Sequence, residues 1–425
     1  MIGEKNKIYG ELITVGDELL SGRTVNNNAA HIGRNLRLAG FALRWVTVVG
    51  DNEEDIAAVL VNAMGRAAYV LVTGGLGPTR DDRTNAAVAQ ALGRRLRRDP
   101  TSWDVISSHL ERHNLTMTPG VARMADLPEG AERIDLVRPR AGYYIGDAEK
   151  PLFFLPGVPD EMAEMLKNFV VPTLKNRIPL QRIFCSHLLR IFGLRESEIA
   201  QRLEDLEQKY PTVQFGYFPH FPEIHLSLSV QASTETAAKS VLEQAARAVR
   251  SRLGIHLYGE GDDTLESIVG RLLSEHGHSL ALAESCTGGL IAHLITNVSG
   301  SSTYFDRSLV TYSNGAKTTH LFVSAELLSH YGAVSKEVAE AMVRGLHKAN
   351  EPDIALSVTG IAGPTGGTKE LPVGTVFLAL LSDKGLRTER FQFGGSRQEI
   401  KLAAAYTALD WLRKAIIDDS FFDGG

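Results

Sequence analysis

Apolar and polar positions follow one another along this chain in two rhythms, and the rhythm changes twice. In the first part, short apolar runs of strand type at Tyr9–Val15, Phe41–Val49 and Tyr69–Val72 are separated by stretches with helical period. Asn28–Leu38 reads as a helix closed by Gly40. Asp51-Asn52-Glu53-Glu54 has the three-residue spacing of a capping box and opens a helix with Ile56, Val59, Leu60 and Ala63 on its inner face. Strands alternating with amphipathic helices predict a parallel sheet covered on both faces.

Near Pro172 the pattern changes. His187–Phe192 and Ile224–Val230 alternate like strands with one wet face, and Glu196–Gln208 and Thr236–Leu253 read as helices, which suits a small α+β domain with an antiparallel sheet. Gly259-Glu260-Gly261-Asp262 reads as a linker. Asp263-Thr264-Leu265-Glu266 then caps a helix with Leu265, Ile268, Val269, Leu272 and Leu273 at helical spacing, and strands and helices alternate again. The last helix starts at the capping box Ser396-Arg397-Gln398-Glu399 and buries Ile400, Ala404, Leu409 and Leu412. The expected fold class is therefore α/β: two three-layer α/β/α domains, 1–172 and 259–425, joined by a small α+β domain, 173–258.

The length of 425 residues suits two to four domains, and 44% hydrophobic with 22% charged residues is ordinary for a globular chain. A net charge of −5 gives no general reason to expect nucleic acid or an anionic membrane as partner. The basic run Arg94-Arg95-Leu96-Arg97-Arg98 has no interleaved aromatic residue and reads as a solvated helix end. Two cysteines, Cys185 and Cys286, make no disulfide framework and point to a reducing compartment. Met1–Asn6 carries no long apolar stretch of export type, and no run approaches the ~20 apolar residues of a membrane span, so a cytoplasmic protein is expected.

Three stretches concentrate chemistry: Ala283-Glu284-Ser285-Cys286-Thr287-Gly288-Gly289, Thr311-Tyr312-Ser313-Asn314-Gly315-Ala316-Lys317 and Val358-Thr359-Gly360-Ile361-Ala362-Gly363-Pro364-Thr365-Gly366-Gly367. Each follows a strand-like run (Leu280–Ala283, Ser308–Val310, Ile354–Val358), and open α/β sheets bind ligands beyond the carboxyl ends of their strands. A serine hydroxyl needs a base, and Lys317 is the candidate. To serve near neutral pH its pKa must fall by about 3 from ~10.4, a differential cost of about 4 kcal/mol. Tyr312 is placed to relay the proton or hold the lysine. Backbone N–H groups at Gly288–Gly289 and Gly360–Gly363 would receive a phosphate or an oxyanion.

These stretches closely resemble the CinA family, whose C-terminal domain is a nicotinamide mononucleotide deamidase. The Glu-Ser-Cys-Thr-Gly-Gly, Tyr-Ser-Asn-x-x-Lys, Tyr331–Ser335 and Thr-Gly-Ile-Ala-Gly-Pro-x-Gly-Gly signatures carry the match over Asp263–Leu412. The resemblance implies that Ser285, Tyr312 and Lys317 hydrolyse the carboxamide without a cofactor, leaving nicotinate mononucleotide and ammonia. It implies that Thr287, Gly288, Ser302, Thr359, Gly360 and Arg397 bind the nucleotide, with the forked donors of Arg397 suited to phosphate. Two departures stand out: Leu371-Pro372-Val373-Gly374 replaces the family's Lys-Pro-Val-Gly, and Lys401 stands where a second arginine is common.

In the first domain, Gly16-Asp17-Glu18-Leu19-Leu20 and Gly74-Gly75-Leu76-Gly77-Pro78-Thr79-Arg80-Asp81-Asp82 each follow a strand. A glycine turn at Gly74, Gly75 and Gly77 can cradle phosphate, and carboxylates beside it ask for a cation, so Asp17, Glu18, Asp81 and Asp82 are the candidate ligands of a divalent metal ion (Mg, Mn or Co). The alternative is that Asp81 and Asp82 cap a helix near Thr84. With Leu155–Met162, these motifs resemble the molybdopterin-binding fold of molybdenum-cofactor biosynthesis enzymes and of CinA N-terminal halves, over Ile8–Pro172. In CinA proteins that domain is associated with ADP-ribose pyrophosphatase activity. Here Asp135–Gly142 departs from the family's stretch and brings Arg138 and Arg140 toward the expected substrate pocket. The middle segment is similar to a KH-type fold but has no Gly-x-x-Gly loop, so nucleic acid is not expected there and a structural or dimer-organising role is. His109 and His113, one helical turn apart, read as an exposed polar face. The expectation is a homodimeric hydrolase acting on nicotinamide mononucleotide and ADP-ribose. The rival readings are a molybdenum-cofactor protein and a non-enzymatic competence or recombination scaffold.

Overall fold

The computed structural model describes residues 8–135, 138–139, 141–146, 150–178 and 183–423. The chain divides into two compact units, Met1–Cys185 with Gln231–Ala238, and Ser186–Val230 with Lys239–Gly425. Each is taken by itself.

The first unit is built on a six-stranded sheet. Tyr9–Val15 pairs in parallel with Ala42–Val49 on one side and Tyr69–Thr73 on the other, and Leu152–Leu155 continues the parallel set beside Tyr69–Thr73. Tyr143–Ile145 and Glu132–Arg133 extend the sheet antiparallel, so it is mixed rather than purely parallel. Alternation decides the layers, because successive strand residues point to opposite faces. Ile13, Val15, Val70 and Val72 pack under the helix Glu53–Arg66 with Ile56, Leu60 and Ala63; Leu12, Tyr69 and Leu71 pack on the other face with Ile32, Leu36 and Met162. The cap of Glu53–Arg66 is Asn52, whose side chain accepts from the Glu54 and Asp55 amides; Asp51 is free for another use. The arginine run is no helix end. Leu92 closes its helix at Gly93, and Leu96–Arg98 pairs antiparallel with Asp126–Pro128, where Arg98 meets Asp126 and Arg97 meets Glu129.

In the second unit, the small sheet has the order Val213–His220, Glu223–Ala232, Ile183–Ile191, Leu257–Glu260. Its first strand is invisible to simple alternation because Gly216 and Pro219 interrupt it. Part of the expected linker, Gly259 and Glu260, is in fact its last strand. The larger sheet has five strands: Phe305–Val310, Leu280–Glu284 and Ile354–Gly360 run parallel, and Thr375–Ser382 and Gly385–Gln392 follow antiparallel. Leu280, Leu282, Leu356 and Val358 face the helices Leu265–His276 and Arg397–Ile417, while Ala281, Ala283 and Ala355 face Lys336–Asn350. The small alanines let that helix lie close. Among the described residues no helix is long and apolar enough to cross a membrane.

Candidate functional site

The C-terminal site starts where the strand Leu280–Glu284 ends. Ser285–Gly289 must reverse the chain before the helix Leu290–Thr296, and Gly288 and Gly289 do so at φ +64° and +93°, a region that strains any residue with a Cβ. Glu284 anchors the turn. Its carboxylate is fully buried and accepts from the Thr287 hydroxyl and the Gly289 and Ile291 amides on one oxygen, and from the Ala292 amide and Ser308 hydroxyl on the other. A buried charge is tolerated only when it is met in this way. Ser285 is left facing the neighbouring strand end.

There Lys317 reaches in. Ser313 caps the helix Asn314–Leu321, and Lys317 sits on its inner side with 1% of its surface exposed. Its Nζ donates to the Thr311 carbonyl at 2.7 Å and lies 2.9 Å from Ser285 Oγ. Burial pushes the ammonium pKa down from its usual 10.5. Cys286, next in the chain, is buried and its thiol is pushed up to about 12 by desolvation, which leaves it protonated at neutral pH.

Other candidates are placed differently from expectation. Tyr312 is 61% exposed and its hydroxyl is held by Arg397 Nη2 at 2.7 Å; the bonds of Lys317 go to Ser285 and Thr311, so Tyr312 is not the lysine's partner. Arg397, at the start of the long last helix, also binds the Gly363 carbonyl through Nη1 at 2.6 Å, which joins the second and third stretches at one edge. The Thr287 side chain is buried against Glu284, and that of Thr359 is buried and donates to the Ala333 carbonyl at 2.7 Å; both are scaffold contacts rather than free ligand donors. The amides of Gly288 and Gly289 are likewise spent, on the Ser285 carbonyl and on Glu284. Gly360 lies within its strand, where a Cβ would come 2.7 Å from the Thr375 carbonyl. Ser302 is at the wrong end. It precedes Phe305–Val310, which runs parallel to Leu280–Glu284 with Glu284 opposite Val310, so it lies about 16 Å, one strand length, from the edge that carries Ser285. Lys401, which stands where a second arginine is common, brings its ammonium within 3.6 Å of where a Cβ on Gly288 would sit.

The N-terminal site is a cleft of about 520 Å³ at the carboxyl ends of the first unit's parallel strands. Gly74, Gly75 and Gly77 line it with Gly16, Glu18, Asp51, Asp81, Asp82 and the Pro156–Val158 turn. Gly74 has φ +104°, and a Cβ there would lie 2.3 Å from the Val15 carbonyl, so glycine is required for close passage of the turn. Asp82 accepts from the Thr79 amide and hydroxyl at 2.8 and 2.6 Å; it closes the glycine turn and does not cap the next helix, whose cap position is Arg83. The acid that sequence reasoning missed is Asp51. Its carboxylate accepts from the Asp17 amide at 3.0 Å and its amide donates to the Asp17 carboxylate at 3.3 Å, and its carboxyl pKa is raised by burial and by the charges of Asp17, Glu18 and Asp81. Hard oxygen donors of this kind suit a divalent cation. Among the described residues no three acidic, histidine or cysteine side chains stand together as one coordination shell, so a cation here would share its coordination between one or two carboxylates and the oxygens of a bound phosphate. Arg138 does not line the cleft; it pairs with Glu164 at 2.6 Å. Arg140 lies outside the described residues.

Comparison with known proteins places the chain in a family. Residues 262–416 match the CinA C-terminal domain, 11–176 the probable molybdopterin binding domain, and 186–259 the damage-inducible protein CinA KH domain. A CinA-like protein of Syntrophobacter fumaroxidans is 44% identical over 97% of this chain and 97% of its own, and one of Citrifermentans bemidjiense is 44% identical over 96% and 97%. The crystal structure of competence/damage inducible protein CihA from Agrobacterium tumefaciens is 42% identical, covering 36% of this chain and 93% of that one, with a TM-score of 0.35. The chain belongs to the CinA family.

Proposed function

We propose that this CinA-family protein hydrolyses the carboxamide of nicotinamide mononucleotide to nicotinate mononucleotide and ammonia, with Ser285 as nucleophile and Lys317 as its base. The observation that carries the reading is the buried Lys317 Nζ at 2.9 Å from Ser285 Oγ, with its pKa lowered by desolvation. The neutral amine keeps one hydrogen on the Thr311 carbonyl and turns its lone pair to the Ser285 hydroxyl. As Oγ bonds to the carboxamide carbon, its proton passes to Nζ and the carbonyl pair moves onto oxygen. When that pair returns, the C–N bond breaks and the Nζ proton leaves with the nitrogen as ammonia. Water then gives a proton to the same Nζ, attacks the ester on Ser285 and frees nicotinate mononucleotide; the proton returns to Oγ. Arg397 and Lys401 supply positive charge at the same edge for the substrate's phosphate, beside the start of a 21-residue helix whose dipole adds to theirs. No metal enters this proposal, and the protein is read as a homodimer. Incubation with nicotinamide mononucleotide tests it: one ammonia per nucleotide consumed is expected, and nucleotide left intact refutes it.

For the N-terminal cleft the proposed substrate is ADP-ribose, with its diphosphate on the Gly74–Gly77 turn and a divalent ion needed to offset Glu18, Asp51 and Asp81. The match of 11–176 to a probable molybdopterin binding domain favours a second reading, in which a phosphorylated pterin takes the same turn. Competition between the two ligand classes for the cleft, read by calorimetry, separates them.

A further inference from the structure

Behind the glycine turn of the N-terminal cleft lies a second, smaller and partly open chamber, bordered by Asn85, Ser102, Arg133 and Tyr143 together with Leu76, Met124 and Ala141, which it shares with the cleft. About 10 Å³ of it is open to the centre of a water molecule, room for one hydroxyl-sized group. Three of these lining residues carry a buried polar atom, Asn85 Oδ1, Ser102 Oγ and Tyr143 Oη, with no hydrogen-bond partner in the protein. Ser102 and Tyr143 are 0% and 1% exposed. Such groups are rarely left unpaired, and each has a definite demand. The Asn85 amide nitrogen donates to the Asp126 carbonyl at 3.0 Å, which fixes its oxygen as the atom left to accept. A guest must therefore donate to Asn85 Oδ1, and it can accept from a Ser102 or Tyr143 hydroxyl. A phosphate or carbonyl oxygen cannot do both; a hydroxyl can.

We infer that this chamber is a binding subsite for one donor–acceptor oxygen, supplied either by a water molecule or by a hydroxyl of the ligand in the adjoining cleft. Leu76, inside the Gly75-Leu76-Gly77 turn, lines both spaces, as do Met124 and Ala141. Only the second source rests on the cleft's being a nucleotide site.

The test uses the full chain and the sign of a stability change. Tyr143→Phe and Ser102→Ala each remove one wall hydroxyl and little volume. If the chamber holds its guest, each variant loses a hydrogen bond and the unfolding midpoint of the N-terminal transition falls by about 2–4 °C. If the midpoint stays or rises both without ligand and with saturating ADP-ribose, the hydroxyls are unpaired, their removal relieves a desolvation penalty, and the proposal is overturned. ADP-ribose titrated into wild type and Tyr143→Phe then names the source. A loss of affinity of about fivefold or more in the variant marks a ligand hydroxyl, and equal affinity marks water. Failure of ADP-ribose to bind at all counts against the cleft's proposed substrate and leaves the stability result to decide the subsite.

Discussion

Lys317→Met separates the catalytic from the structural role of the buried amine. The methionine is of similar length and needs no hydrogen bond. The substitution removes the contacts to Thr311 at 2.7 Å and Ser285 at 2.9 Å, and the unmet Thr311 carbonyl costs about 1–3 kcal/mol. Against this, a residue 1% exposed no longer has an amine to desolvate, a penalty of several kcal/mol for a full charge and less for a neutral one. The two oppose each other, so stability at pH 7 should move by no more than about 2 kcal/mol. Turnover should fall by about 10²–10⁴, equivalent to about 3–5 kcal/mol in the barrier, the usual worth of a positioned base. Lys317→Arg should be equally inactive, because a guanidinium does not deprotonate in a protein. The pH dependence has a definite sign. The folded pKa lies below the usual 10.5, so between the two the unfolded chain binds more protons and wild-type stability rises with pH through that window. Below the folded pKa the whole penalty is present. The stability of the methionine variant relative to wild type should therefore shrink toward pH 10.5, while wild-type turnover climbs as Nζ loses its proton. Ammonia release across pH, paired with denaturant unfolding of the same samples, measures both. Near-normal turnover in the arginine variant would show that residue 317 supplies charge and is not the base.

Glu284→Gln should destabilise the second unit by about 3 kcal/mol or more, since an amide NH₂ would face donors that now share a carboxylate; a lowered unfolding midpoint checks this. Arg397→Ala should raise KM for nicotinamide mononucleotide by roughly tenfold or more, with Arg397→Lys recovering only part, because one ammonium cannot hold the Tyr312 hydroxyl, the Gly363 carbonyl and a phosphate together. EDTA should stop ADP-ribose cleavage, and Asp82→Ala should do so by releasing the Thr79 turn, while ammonia release continues in both cases.

The sequence made the layers readable because the sheet alternation and helix periods are local. Leu12 against Ile13 and Ala281 against Leu282 already declare opposite faces. The Ser285–Lys317 pair was also legible, since both follow strand ends that a parallel sheet must bring to one edge. What failed depended on direction or on long-range partners. Ser302 belongs to a nearby motif, but only the parallel register shows that it sits at the other end of its strand. Tyr312 follows Thr311 directly, yet its ring turns outward to Arg397, 85 residues away. Asp51 looked like a helix cap because Asn52, beside it, is one. Glu284 stood alone in sequence, and its five donors assemble only when the turn, the helix behind it and Ser308 are folded.

The proposed hydrolysis passes through a covalent intermediate on Ser285 formed with the help of Lys317. Rapid acid quench during turnover of nicotinamide mononucleotide, followed by peptide mass spectrometry, tests it most directly. A nicotinate mononucleotide acyl group is expected on the peptide carrying Ser285, absent from Ser285→Ala, which also releases no ammonia, and still present in Cys286→Ala. An adduct on Cys286, or ammonia release by Ser285→Ala at the wild-type rate, would contradict it.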